Sequence, residues 1–143
     1  MKFKKLLHNA ILPTKANPGD AGLDLTAAKI EYDYEKGILI ADTGLAVEIP
    51  QGYVGLLFMR SSGSNTTNIL ANCVGVIDSG YRGSLIMKFR PIVTNKERKP
   101  IDYKVGERVG QLVVVPFLNS EPELVEELSD TQRGAGGFGS SGR

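Results

Sequence analysis

The sequence predicts an all-β domain, built as a sandwich or a barrel. Turn signals rich in Gly, Pro, Asn and Asp recur at short intervals, and short β-rich runs lie between them. No long segment has the 3.6-residue periodicity of an amphipathic helix. The turns are expected at residues 17–20, 36–37, 50–52, 78–80, 94–96 and 105–107, and the strands at residues 23–27, 37–40, 45–49, 53–58, 85–89 and 111–116.

Three segments need a separate prediction. Residues 61–67 follow a strand and begin with serines, which favours a short helix, although Gly63 weakens it. Residues 72–83 are predicted to form a hairpin with Asp78 at its turn. The apolar run Val113 to Val115 predicts burial on both faces, either as a central strand, which we favour, or against another subunit.

Composition limits the possible functions. At 143 residues and 15.4 kDa the chain is one domain with a real core. With 17 Lys and Arg against 16 Asp and Glu, it lacks the basic excess of proteins that bind nucleic acid along its backbone. No apolar run has the length of a membrane span or of a signal peptide, so we expect a cytoplasmic protein with neither nucleic acid nor membrane as a partner.

The reactive side chains narrow the chemistry further. A lone Cys73 excludes an internal disulfide and a cysteine-cluster zinc site, and a lone His8 excludes an HExxH motif and argues against a Ser-His-Asp triad. Any catalysis is therefore expected to use carboxylates, a metal bound through the substrate, or both.

The C-terminal residues 133–143 combine five glycines with two arginines, paired serines and Phe138. Glycine allows backbone N–H groups to close on an anion, while arginine and hydroxyl groups suit phosphate oxygens. Taken alone, the tail could also be a flexible terminus or an Arg/Gly-rich RNA-binding segment.

Four upstream segments also carry polar groups that a plain scaffold does not need. Residues 21–25 place Asp24 between leucines, residues 60–64 join Arg60 to three serines, and residues 108–112 contain Gln111 at the start of an apolar strand. The fourth segment, residues 72–83, contains a carboxylate and an aromatic ring. Each has an ordinary explanation when taken singly: a solvated strand residue, N-capping, backbone pairing or a simple turn.

The five segments in this order resemble the motifs of the homotrimeric dUTP diphosphatase (dUTPase) family. The matching segments are residues 21–25, 60–62, 75–83, 108–111 and 133–142. The resemblance implies a homotrimer of distorted jelly-roll-like β-barrels, with a barrel domain at residues 1–131. It also implies a flexible glycine-rich arm at residues 132–143 that completes the active site of a neighbouring subunit.

The resemblance further implies hydrolysis of dUTP to dUMP and pyrophosphate, with Mg²⁺ as cofactor. Asp78 would activate a water for in-line attack on the α-phosphorus, and Tyr81 would stack under the deoxyribose and exclude a 2′-hydroxyl. Asp24 would hold Mg²⁺ indirectly, through water. The base and sugar would be bound by Asn72, Val74, Gly75, Val76, Ile77, Tyr81, Ile86 and Phe138, and the phosphates by Arg60, Ser61, Ser62, Gln111, Arg133, Gly139, Ser140 and Ser141.

The chain departs from the family pattern after Arg60, where residues 63–68 lack good helix formers and predict a short or distorted helix. Two other functions are compatible with an all-β nucleotide-binding domain. A dCTP deaminase shares the fold, but the position expected for its catalytic glutamate is Lys88. A non-catalytic nucleotide-binding or protein-binding β-domain would not need Asp78, Tyr81 and the complete tail together.

Overall fold

The computed structural model describes residues 1–92, 103–137 and 140, and it confirms the all-β prediction. The turn predicted at residues 94–96 lies outside these residues. In the part of the chain described, no helix is long and apolar enough to cross a membrane. The strands are β1 (Lys2–Lys5), β2 (Leu23–Thr26), β3 (Lys29–Asp33), β4 (Ile38–Asp42), β5 (Leu45–Glu48), β6 (Tyr53–Phe58), β7 (Asn68–Leu70), β8 (Gly75–Ile77), β9 (Ile86–Pro91) and β10 (Arg108–Pro116).

The strands form two four-stranded sheets and a separate two-stranded ribbon, and every pairing is antiparallel. The first sheet has the order β2-β10-β6-β8, the second has the order β3-β4-β9-β7, and β1 pairs with β5. β10 lies between β2 and β6, so the apolar run is a central strand, as favoured. Val113, Val114 and Val115 are nevertheless only half-buried in the single chain.

The core consists of apolar side chains from both four-stranded sheets. Leu25, Leu57 and Leu112 come from the first sheet, and Met87 and Phe89 from the second; all five are almost fully buried. Burial of each large side chain stabilises the fold by about 1.5–3 kcal/mol before the entropy cost of ordering it. The core therefore holds together the two sheets whose ends carry the predicted site residues.

The hairpin predicted at residues 72–83 is wrong. β8 pairs with β6 in the first sheet, whereas the next strand, β9, pairs with β4 and β7 in the second. The turn signal itself is real, because the Tyr81 N–H donates to the Asp78 carbonyl at 3.0 Å. A turn sequence reverses the chain locally but does not decide whether the flanking strands pair. The connection between Asp78 and Leu85 therefore crosses from one sheet to the other.

The helix after β6 is short, as the departure from the family pattern predicted. Ser61–Asn65 form a 3₁₀ helix that begins after the extended Arg60. Gly63 is its one buried residue, and a Cβ at this position would lie 2.6 Å from Met59 Cε. A glycine that packs this closely permits the tight turn but does not favour a longer α-helix.

Candidate active site

Asp24 lies between two arginines that come from different parts of the chain. Arg60 Nε donates to Asp24 Oδ1 at 2.9 Å, and Arg108 Nη1 donates to Asp24 Oδ2 at 2.9 Å. The Asp24 side chain is 14% exposed, against 28% for Arg60 and 52% for Arg108. We call these three residues the arginine clamp. It fixes two cationic side chains around one shielded carboxylate, leaving their other N–H groups to bind an anion.

Gln111 lies beside the clamp because β10 pairs with both β2 and β6. Its Cα is in register with Asp24 on one side and Phe58 on the other. Its Nε2 donates to the Met59 carbonyl at 3.0 Å, which orients the amide. A Cβ on Gly22 would collide with Gln111 Oε1, so a larger residue here would force the Gln111 amide out of this position.

A cavity of about 450 Å³ joins these groups. Its lining includes Asp20, Gly22, Asp24, Arg60, Ser61 and Gln111. The structure thus brings together four of the predicted site residues from three motifs that are far apart in sequence. The combination of arginine, hydroxyl and amide donors suits the oxygens of a phosphate chain.

The two predicted phosphate-binding serines are at the start of the 3₁₀ helix, and both are exposed. The Ser61 carbonyl accepts a hydrogen bond from Ser64 Oγ at 2.7 Å, which closes the first turn. Ser61 lines the cavity, whereas Ser62 is not among its lining residues. The single chain therefore brings Ser61, but not Ser62, to the predicted phosphate site.

Asp78 begins the connection between β8 and β9, residues 78–85, which we call the Asp78 loop. Asp78 and Tyr81 are both exposed. Arg82 stabilises the loop from within, because its Nη1 donates to the carbonyls of Ser79, at 2.6 Å, and Tyr81, at 2.8 Å. The Tyr81 hydroxyl donates to the Ser84 carbonyl at 3.1 Å, so the ring is anchored at its far end.

The residues predicted to bind the base are on and around β8. Gly75 is buried, Val74 and Ile77 are half-buried, and Val76 and Ile86 are exposed. Asn72 lies in the turn before β8, where its carbonyl accepts the Val74 N–H at 2.6 Å. The next residue, Cys73, has a positive φ of 61°, which is unusual for a residue other than glycine and marks a sharp change of chain direction.

The register of β6 and β8 places the Asp78 loop far from the arginine clamp. Leu57 pairs with Gly75 and Gly55 with Ile77, so Asp78 comes opposite the start of β6 while Arg60 follows its end. The offset of six residues corresponds to about 20 Å along an extended strand. One chain therefore presents the arginine clamp and the Asp78 loop at opposite ends of the first sheet.

The C-terminal arm is described in part. The Arg133 Nε donates to the Gly136 carbonyl at 3.0 Å, and the Ser140 N–H donates to the Gly137 carbonyl at 3.1 Å. Arg133 and Ser140 are exposed. The other predicted arm residues, Phe138, Gly139 and Ser141, lie outside the described residues.

Two residues at the site were not assigned a role from the sequence. Arg108 belongs to the fourth motif, but only the pairing of β10 with β2 brings it to its partner Asp24. Tyr103 lines a second cavity with Arg60 and Arg108, and its ring packs against Phe89 with centroids 5.1 Å apart. Burial raises the pKa of Tyr103, so its neutral form is favoured. No local sequence signal indicates either contact.

Comparison with known proteins identifies the family. The dUTPase family model matches residues 8–142. The chain belongs to the dUTPase family. It is 44% identical over 135 residues to the deoxyuridine 5′-triphosphate nucleotidohydrolase of Pseudomonas fluorescens, covering 92% of this chain and 87% of that protein.

Solved family structures share the fold. The Staphylococcus bacteriophage 80alpha dUTPase with dUpNHpp superposes with a TM-score of 0.82 and 33% identity, covering 99% of this chain and 98% of that one. A mutant dUTPase of phage phi11 of S. aureus, described with a structural Mg(II) ion, has a TM-score of 0.71 and 28% identity, covering 88% and 96% of the two chains. The dUTPase resemblance and the fold class predicted from the sequence are confirmed.

Proposed function

We propose that this protein hydrolyses dUTP to dUMP and pyrophosphate, which limits uracil incorporation into DNA and supplies dUMP for dTMP synthesis. The observation that carries the proposal is that Asp24, Arg60, Ser61 and Gln111, from three separate family motifs, line one cavity. The proposal is supported by the nucleotidohydrolase names of relatives and by the dUTP analogue in the phage enzyme. The position at which a dCTP deaminase would need a glutamate is Lys88, which is exposed on β9.

In the proposed reaction, Asp78 orients a water and accepts its proton as the oxygen attacks the α-phosphorus. The bond between the α-phosphorus and its bridging oxygen breaks, and pyrophosphate leaves. Attack on a phosphoanhydride depends on position and charge neutralisation more than on a covalent nucleophile. Arg82 holds the shape of the loop that carries Asp78, so the carboxylate would be correctly positioned once a nucleotide covers it.

The nucleoside is proposed to bind along β8 and the Asp78 loop. The uracil edge would be recognised by backbone N–H and C=O groups at Val74 to Ile77, continuing to Ile86, with help from Asn72. These groups would lie too close to the base to leave room for a 5-methyl group. Tyr81 would stack on the deoxyribose. Val76 and Ile86 would supply exposed apolar contacts, and Phe138 of the arm would cover the base.

The phosphates are proposed to bind to Arg60, Ser61, Ser62 and Gln111, with Arg133, Gly139, Ser140 and Ser141 closing over the β,γ end. When bound, Mg²⁺ would neutralise phosphate charge. The cavity is lined by Arg60, Ser61 and Gln111, which would bind phosphate oxygens, and by the carboxylates of Asp20 and Asp24, so a metal there would be held mainly by the substrate. Asp24 would contact the water shell of the ion while it holds the two arginines.

A complete site is proposed to combine more than one chain. Because the arginine clamp and the Asp78 loop are about 20 Å apart along the first sheet, one nucleotide cannot readily reach both on the same subunit. A homotrimer with shared sites removes this difficulty. In it, residues 1–131 form the barrel, and residues 132–143 form an arm that reaches a neighbouring site.

The direct experiment is pyrophosphate release from dUTP with Mg²⁺, with dTTP, dCTP and UTP as controls. We expect turnover of dUTP and weak or no turnover of the others. Ammonia release from dCTP would instead support deamination, and nucleotide binding without hydrolysis would support a non-catalytic module. Deletion of residues 132–143 is expected to abolish hydrolysis while the melting temperature changes little, because the deleted segment contains no strand among its described residues.

A further inference from the structure

Asp42, at the end of β4, forms a hydrogen-bond network that the proposed reaction does not use. Its Oδ1 accepts the Gly44 N–H at 2.7 Å and also a short hydrogen bond from Ser84 Oγ. Asp42 and Ser84 are 42 residues apart in sequence and are both partly buried. The carboxylate thus ties the end of the Asp78 loop to the corner between β4 and β5.

The backbone next to Ser84 is anchored to the same corner. The Leu85 N–H donates to the Leu45 carbonyl at 2.8 Å, and the Thr43 N–H donates to the Leu85 carbonyl at 3.1 Å. Leu85 is fully buried. Ser84 is therefore fixed on one side through its backbone neighbour and on the other through its hydroxyl.

This fixed residue holds the ring of Tyr81. The Tyr81 hydroxyl donates to the Ser84 carbonyl at 3.1 Å. The phenol end also lies directly over Gly83, where an added Cβ would be 2.5 Å from Tyr81 Cζ. Tyr81 is 42% exposed, so few other contacts restrict its ring. The contacts at the phenol end therefore select one rotamer of the side chain.

We propose that Asp42 and Ser84 are positioning residues that hold the Tyr81 ring where it excludes a 2′-hydroxyl, and so set the preference for dUTP over UTP. The inference rests on the proposed function of Tyr81. The Ser84 carbonyl accepts the phenol proton, and the Asp42 carboxylate fixes the Ser84 residue that carries this carbonyl. Loss of this support frees the ring to move aside for a ribonucleotide.

The first test measures kcat and KM for dUTP and UTP in the Ser84→Ala variant. Its backbone carbonyl remains, but its link to Asp42 is lost. We expect the ratio of the two kcat/KM values to fall about threefold to tenfold, because the effect on the ring is limited by the neutral hydrogen bond from the Tyr81 hydroxyl to the Ser84 carbonyl. The change should fall mainly on KM, because the ring orients the nucleotide and does not react. Asp42→Ala should lower the ratio by a similar factor. Asp42→Asn should restore selectivity, because its amide oxygen can still accept the hydrogen bond from Ser84.

A double-mutant cycle separates positioning from general stability. Tyr81→Phe removes only the hydroxyl of an exposed residue, so we expect this variant to fold normally. It should lower the dUTP to UTP ratio by the same factor as Ser84→Ala. Combined with Ser84→Ala it should add little, because both changes break one chain of contacts. Asp33→Ala is the matched control: Asp33 also accepts a backbone N–H in a turn, from Lys36 at 3.0 Å, but on the β3–β4 hairpin.

The outcomes are distinct. Unchanged selectivity in Tyr81→Phe and Ser84→Ala, or fully additive effects in the cycle, would overturn the positioning role. If Tyr81→Ala alone then lowers the ratio, the proposed function of Tyr81 stands. If Tyr81→Ala leaves the ratio unchanged, both the positioning role and the sugar-contacting role of Tyr81 are rejected. Binding of dUpNHpp compared with its ribose counterpart, measured by calorimetry, should give the same order of variants without turnover.

Discussion

The arginine clamp and the Asp78 loop are built from different kinds of contact. In the clamp, one arginine from β10 and one from the segment after β6 form ion pairs with one shielded carboxylate on β2. In the Asp78 loop, the contacts are mostly hydrogen bonds from Arg82 and Tyr81 to backbone carbonyls within the loop. The clamp therefore depends on the sheet, whereas the loop largely holds its own shape and needs the sheet only at its ends.

The two regions suit the recognition of different parts of a nucleotide. A clamp fixed by strand register suits the binding of a phosphate chain, whose charge is the same in every nucleoside triphosphate. A locally shaped loop suits recognition of the base and sugar, where small displacements decide selectivity. Four experiments test this contrast, in order of decreasing expected effect.

The largest effect is expected from Asp78→Asn, which should lower kcat about 10²- to 10⁴-fold, the usual range for a general base. The amide has a similar size but cannot accept the proton from water, so binding of dUpNHpp should persist. The measurement is steady-state hydrolysis of dUTP beside calorimetric binding, with Asp33→Asn as a surface control. Near-normal turnover would move the base elsewhere, with Asp24 as the next candidate.

The second experiment asks whether the two regions of one site come from different chains. Asp78→Asn and Arg60→Ala are each expected to be nearly inactive, but mixed trimers of the two should regain activity. In each mixed trimer, roughly one of the three shared sites would carry both native residues. Coexpression with different affinity tags isolates the mixed species for assay.

The control for this mixture is each variant coexpressed with itself under both tags. Recovery near roughly one third of the native rate in the isolated mixed trimers would support shared sites. Mixed assemblies that stay inactive would show that Asp78 and Arg60 act within one chain. A particle mass near 15.4 kDa, instead of about three times that value, would remove the trimer altogether.

Asp24→Asn should have a smaller effect, about 10- to 100-fold in kcat/KM, because a displaced phosphate ligand misplaces the substrate without removing the base. The loss of charge releases Arg60 and Arg108 from a common partner. The loss should be equal for dUTP and UTP, in contrast to the Ser84 variants. A change in the dUTP to UTP ratio would contradict the assignment of the clamp to phosphate binding.

The smallest effect concerns the pH dependence of stability near the Asp78 loop. A hydrogen bond and ion pair with Lys2 lower the pKa of Glu48, and Arg82 adds to the shift. A lowered carboxyl pKa contributes stability above the pKa of the unfolded chain and loses it as the pH falls through the folded pKa. Glu48→Gln should therefore unfold slightly more easily than the native chain at pH 7, and the difference should vanish under acid conditions. Denaturation midpoints at several pH values measure this, and an unchanged difference would contradict it.

The sequence predicted the fold class and the strands β2, β4, β5, β6, β9 and β10, because turn residues and β-rich runs are local signals. The order of the five motifs predicted the family. The sequence missed β1, β3 and β7, which are short or carry many polar residues. It also predicted a hairpin where the chain crosses between sheets, since strand partners are chosen by packing. The motifs identified Asp24 and Arg60, but the pairing of Asp24 with both arginines depends on the register of β2 against β10, which no single segment encodes.

The close contact between Gly22 and Gln111 couples two positions that are far apart in the chain. A Cβ at residue 22 would lie 3.1 Å from Gln111 Cδ and would collide with the amide oxygen. Alanine at residue 22 would therefore displace the Gln111 amide, which would disturb its hydrogen bond to the Met59 carbonyl. The orientation of an amide at the proposed phosphate site thus depends on the absence of a side chain at a residue far away in the sequence.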